Sequence, residues 1–60
     1  RTVITRVSKS NVRSEGSLNG RILFTVAQGV PFKVLDQTKK WYKVQHADGD
    51  TGWISKKLVW

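Results

Sequence analysis

The feature that most constrains this chain is the stretch Trp41-Tyr42-Lys43-Val44-Gln45-His46-Ala47-Asp48-Gly49-Asp50-Thr51-Gly52-Trp53-Ile54-Ser55. Two runs rich in aromatic and β-branched residues flank an Asp-Gly pair, the strongest short-range hairpin signal a sequence carries. Two registers compete. A two-residue Asp48-Gly49 loop sets Trp53 opposite Val44. A three-residue Ala47-Asp48-Gly49 loop, with Gly49 left-handed, sets Ile54 opposite Tyr42. A slip of one residue moves every side chain to the other face. The second register is preferred because it gathers Tyr42, Val44 and Ile54 on one apolar face and leaves Trp41, Lys43 and Trp53 on the other.

Sixty residues make one small domain, of a size that buries only about 60% of its unfolded surface. With no Cys there is neither a disulfide nor a thiolate metal site to staple it. Buried apolar side chains, at ~1.5–3 kcal/mol each, must offset most of the chain entropy. The chain starts at Arg1 and has no Met, and is read as a domain excised from a larger protein. Cysteine usage leaves the compartment open. No apolar run approaches the roughly 18 residues of a membrane span, and Arg1–Arg6 is too polar for a signal peptide.

Around the hairpin, Thr2–Val7 reads as a first strand. Ser8–Gly20, rich in Ser, Asn and Gly, reads as a long exposed loop anchored by Val12 and Leu18. Ile22, Phe24 and Val26 recur at period two, making Arg21–Ala27 a strand with one apolar face. Gln28-Gly29 is a turn, and Phe32 and Val34 alternate in a further strand with Pro31 at its start. Asp36–Lys40 is a polar loop. After the hairpin, Lys56–Leu58 makes a helical turn before Val59-Trp60 closes as a short strand. The fold class is therefore all-β, a small antiparallel barrel or pair of packed sheets of five strands. Oligonucleotide-binding, Tudor-like and SH3-like barrels all satisfy that pattern.

The net charge is +7, from 11 Lys and Arg against 4 Asp and Glu, which favours anionic partners within a Debye length of about 8 Å. The basic residues form no long run, so a solvated basic surface competes with a nucleic-acid or acidic-polymer field. No enzyme is expected: one His and four acids assemble no nucleophile, base and orienting acid. His46 reads as an exposed strand-end residue. Asp48 and Asp50 are explained by turn chemistry and fall short of a Ca²⁺ loop. No phosphate loop, zinc spacing, metal site or cofactor is expected.

Four segments in order sharpen the reading. Asn11-Val12-Arg13-Ser14, Gln28-Gly29-Val30-Pro31-Phe32-Lys33-Val34-Leu35, Trp41-Tyr42-Lys43-Val44 and Gly52-Trp53-Ile54-Ser55 closely resemble the signatures of the bacterial SH3-like (SH3b) family. Glu15-Gly16 stands where that family often has Gly-Pro, and Phe24 where a small residue is common. The resemblance implies a five-stranded SH3-like barrel, usually appended to secreted or periplasmic enzymes that remodel peptidoglycan. It implies a cell-wall-associated binding module beside a tethered catalytic domain. It also implies a ligand groove bordered by the early loop and the strand bearing Trp41. Asn11, Arg13, Glu15, Trp41, Lys43 and Trp53 are the candidate ligand-binding residues. The aromatic faces suit sugar rings or flat peptide backbones, and Asn and Arg supply directional hydrogen bonds. Arg13 competes as a loop anchor and Trp53 as a cover for the barrel end. A proline-rich ligand is disfavoured, since Ser55 takes the place of the required Pro, Leu58 that of a Tyr, and Glu15 is the early loop's single acid. Nucleic-acid binding and a purely structural docking role stand as alternatives.

Overall fold

A computed structural model describes residues 1–60. Six strands follow one another: β1 (Thr2–Ile4), β2 (Ser10–Arg13), β3 (Ile22–Val26), β4 (Pro31–Gln37), β5 (Trp41–Gln45) and β6 (Thr51–Ser55), with a 3-10 turn at Lys56–Leu58. They form one antiparallel sheet in the order β1-β4-β5-β6-β2-β3. Val3, Val12, Phe32, Tyr42, Val44, Ile54 and Val59 form a single buried cluster, and Phe24 and Val26 of β3 pack against it. Every strand thus contributes to one core, around which the sheet curls as a partly open SH3-like barrel with β1 and β3 at its edges.

The hairpin has the expected register. Tyr42 pairs with Ile54 and Lys43 with Trp53, and Tyr42, Val44 and Ile54 are buried. The His46 N–H donates to the Asp50 carbonyl at 2.8 Å, closing a loop of Ala47, Asp48 and Gly49. Gly49 has φ +98°, a conformation costing an L-residue ~1–2 kcal/mol. Asp48 completes the turn by accepting a hydrogen bond from the Asp50 N–H at 3.0 Å. That bond first, and the His46 side chain 3.0 Å away second, hold the Asp48 carboxyl below its ordinary value of 3.8. A depressed carboxylate stabilises the fold above its unfolded pKa, and that contribution disappears as pH falls through the folded value. The Asp50 amide resonance should therefore titrate with a midpoint below 3.8 and lose this perturbation in Asp48→Ala; a midpoint at or above it would remove Asp48 from the turn.

The sheet has six strands where five were expected: β2 lies inside the stretch read as loop, and the closing strand expected at Val59-Trp60 is reduced to one isolated bridge at Val59. Ser10 and Val12 are its inward residues, and both are fully buried. The Leu18 side chain is 78% exposed and does not anchor the loop in the core. β3 is an edge strand whose pairing with β2 slips between Val12 and Arg13, so Ile22 stands opposite the outer Arg13 and is 47% exposed. β4 runs on to Gln37, bulging between Val34 and Asp36, so the polar connection shrinks to Thr38–Lys40. β1 ends at Ile4, and Thr5 pairs with Val59 in an isolated bridge that brings the chain end to the first strand. No helix is long and apolar enough to cross a membrane.

Candidate functional site

β2 alternates its burial, so with Ser10 and Val12 inward, Asn11 and Arg13 stand together on its outer face. β2 crosses beside β6, where Arg13 pairs with Trp53. One strand further, Trp41 pairs with Ser55. The 3-10 turn then folds back across this end of the sheet. The Ser55 hydroxyl accepts from the Lys57 N–H at 3.4 Å, and Arg6 binds the turn twice, its backbone N–H donating to the Leu58 carbonyl and its Nε to the Lys57 carbonyl, each at 2.8 Å. The result is a groove of about 280 Å³ lined by Lys9, Asn11, Arg13, Leu18, Trp41, Ser55, Lys57 and Leu58.

The groove joins three of the six expected residues, Asn11, Arg13 and Trp41. Arg13 is also the loop anchor: its Nη1 donates to the Leu18 carbonyl at 3.2 Å and the Gly20 carbonyl at 2.9 Å. The Ser14 and Arg21 ends are cross-linked by the Ser14 N–H to Arg21 carbonyl bond at 2.8 Å and the Arg21 N–H to Ser14 Oγ bond at 3.1 Å. Loop and groove wall are thereby one unit. Trp53 lies outside the groove and supports this loop. A Cβ on Gly16 would stand 3.1 Å from the Trp53 ring and 3.5 Å from the Trp41 Cβ, so Gly16 sits against the two tryptophans. Glu15 and Lys43 are exposed and do not line the groove.

Lys9, Leu18, Ser55, Lys57 and Leu58 were not among the expected residues. The signal for the last three was the turn expected at Lys56–Leu58, since a tight turn straight after β6 brings its side chains beside Trp41. Its two lysines part company. Lys56 turns away, with Nζ 4.8 Å from the centre of the Tyr42 ring and 2.8 Å from Gln37 Oε1, whereas Lys57 faces the groove. At the opposite end of the hairpin His46 is part-buried against Phe32, ring centres 5.5 Å apart. It shares a shallow depression with Thr2, Pro31, Lys33 and Gln45.

A six-stranded SH3-like barrel with a basic groove and one aromatic wall is the frame of a small binding domain. Residues 5–59 match the family model of the bacterial SH3 domain, and the chain belongs to that family. These are binding domains, generally without catalysis of their own, and commonly cell-wall modules. A search of curated proteins finds no significant match.

Proposed function

We propose that the domain is a targeting module that holds a tethered wall-remodelling enzyme on peptidoglycan outside the cytoplasm, through the groove between Trp41, Asn11, Arg13 and the 3-10 turn. The observation that carries this reading is the convergence of Trp41, Asn11 and Arg13 on one groove, in a chain of a family that commonly attaches to cell walls. The indole offers a flat apolar face, and the Asn11 amide offers a donor and an acceptor to a peptide or glycan. Tethering raises the enzyme's local concentration at its polymer and adds no chemistry of its own. Nucleic acid is the weaker partner, because single-strand binders stack successive bases on several aromatics, and this groove has one.

Sedimentation of the domain with purified sacculi tests the reading. Truncating an aromatic hot spot costs ~2 kcal/mol or more, so Trp41→Ala should weaken retention by roughly thirtyfold or more while keeping the β-sheet circular dichroism. Lys43→Ala, outside the groove, should bind as the parent does. Equal retention of Trp41→Ala and the parent, or no retention of the parent, would remove the groove as a wall-binding site.

A further inference from the structure

The groove is charged in one sense only. Lys9, Arg13 and Lys57 line it, and no acid does. The four acids of the chain lie elsewhere: Asp48 and Asp50 at the hairpin tip, Asp36 bonded to the Gln37 N–H at 2.8 Å, and Glu15 exposed on the loop. No carboxylate lies within salt-bridge distance of Lys9, Arg13 or Lys57, the one such contact of the domain being His46 with Asp48 at the hairpin tip, so none of the groove cations is neutralised. Three like charges around one narrow depression repel one another, and an anion placed among them removes that repulsion. Resting on the wall-binding reading above, we infer that this groove selects the peptide part of the wall, and within it a short segment carrying free carboxylates, over neutral peptide and glycan.

One observation favours carboxylates on a peptide over the phosphodiesters of an anionic wall polymer: the groove presents apolar surface beside its charges, from Trp41, Leu58 and the 78% exposed Leu18. Alkyl side chains and amide planes cover such surface, whereas a polyol phosphate chain has little apolar face to offer. Asn11 then meets the peptide backbone, and Lys9 and Lys57, flexible point charges, meet the carboxylates.

The test compares native sacculi, sacculi stripped of phosphodiester polymers, and sacculi whose carboxyls have been converted to carboxamides. Retention should survive stripping and fall roughly tenfold on amidation, the scale of a few partly screened charge contacts. The variant Lys9→Gln/Lys57→Gln should bind native sacculi as weakly as the parent binds amidated ones, and show no further fall on amidation. Arg21→Gln/Lys33→Gln removes the same charge outside the groove, and should keep the discrimination. Equal retention on native and amidated sacculi overturns the carboxylate inference but leaves the wall reading standing. Loss on stripping alone transfers the site to phosphate, and loss of discrimination in Arg21→Gln/Lys33→Gln reduces it to overall charge. Absence of retention on native sacculi, by contrast, overturns the wall reading itself.

Discussion

Gly52→Ala is expected to remove a large part of the stability of this domain. A Cβ at Gly52 would lie 2.4 Å from Val12 Cγ1 and 3.1 Å from the Arg13 carbonyl oxygen. The first is shorter than real Cβ atoms show and the second is tighter than most of their contacts, and Val12 is fully buried. Overpacking of this kind costs ~1–3 kcal/mol and occasionally more. A 60-residue domain has only about 3–9 kcal/mol of total stability at 0.05–0.15 kcal/mol per residue. The Tm should fall by roughly 10–20 °C, at about 4–8 °C per kcal/mol for a domain this small. Gly49→Ala is the contrast: its Cβ meets nothing, and the cost is the left-handed backbone alone, ~1–2 kcal/mol. Val12→Ala should partly rescue Gly52→Ala by removing the methyl that clashes, although either change alone is destabilising. A Gly52→Ala variant melting with the parent would show that β2 and β6 do not approach this closely. The consequence reaches the groove, because Asn11 and Arg13 flank Val12 on β2, and their placement depends on β2 lying flat against the bare backbone of Gly52. Wall retention should fall along with Tm.

That dependence also explains what could be read from residues alone. The hairpin was legible because its information is local: an Asp-Gly turn, and a face of Tyr42, Val44 and Ile54 that only one register assembles. β2 was not, because its inward pair is Ser10 and Val12. A buried serine, bonded weakly to the Val7 carbonyl at 3.4 Å, breaks the apolar alternation by which a strand is recognised. Leu18 and Ile22 misled in the opposite direction, as apolar residues that a loop and a sheet edge leave in solvent. The site divides in the same way. Asn11, Arg13 and Trp41 stood in motifs that resemble a known family, and those motifs were enough to group them. Lys57 and Leu58 enter the groove with the 3-10 turn that Arg6 ties down, a contact spanning most of the chain, and Lys9 enters it just before β2, the strand that read as loop. Trp53 was a candidate because aromatic residues opposite Lys43 face outward; the loop carrying Gly16 covers that face, so the ring serves the loop.

Thr5→Val is expected to have the second large effect, through hydrogen bonds at a residue of unchanged shape. Thr5 is fully buried. Its hydroxyl donates to the Ala27 carbonyl at 2.7 Å and accepts from the Val30 N–H at 2.8 Å. Its backbone bonds to the same turn, donating to the Val30 carbonyl at 3.1 Å and accepting from the Gly29 N–H at 2.8 Å. Thr5 therefore clasps the Gln28-Gly29 turn, in which Gly29 holds φ +86°. Valine keeps the volume and the β-branch but leaves the part-buried Val30 N–H and Ala27 carbonyl without their partner, at up to ~1–3 kcal/mol for each unsatisfied group. The expected loss is about 2–4 kcal/mol, or a fall in Tm of roughly 10–20 °C. Thr5→Ser keeps the hydroxyl and loses one methyl, about 1 kcal/mol, so it should retain most of the stability. A Thr5→Val variant at least as stable as Thr5→Ser would show that packing, and not the clasp, matters at this site. Thr5 also pairs with Val59, next to the 3-10 turn that carries Lys57 and Leu58. Loosening the clasp should accordingly raise amide exchange at Val30 first and at Arg6 and Trp60 next, because those two amides donate across the Thr5–Val59 bridge to the Leu58 and Ile4 carbonyls. Exchange confined to Val30 would mean that the turn and the groove floor open independently.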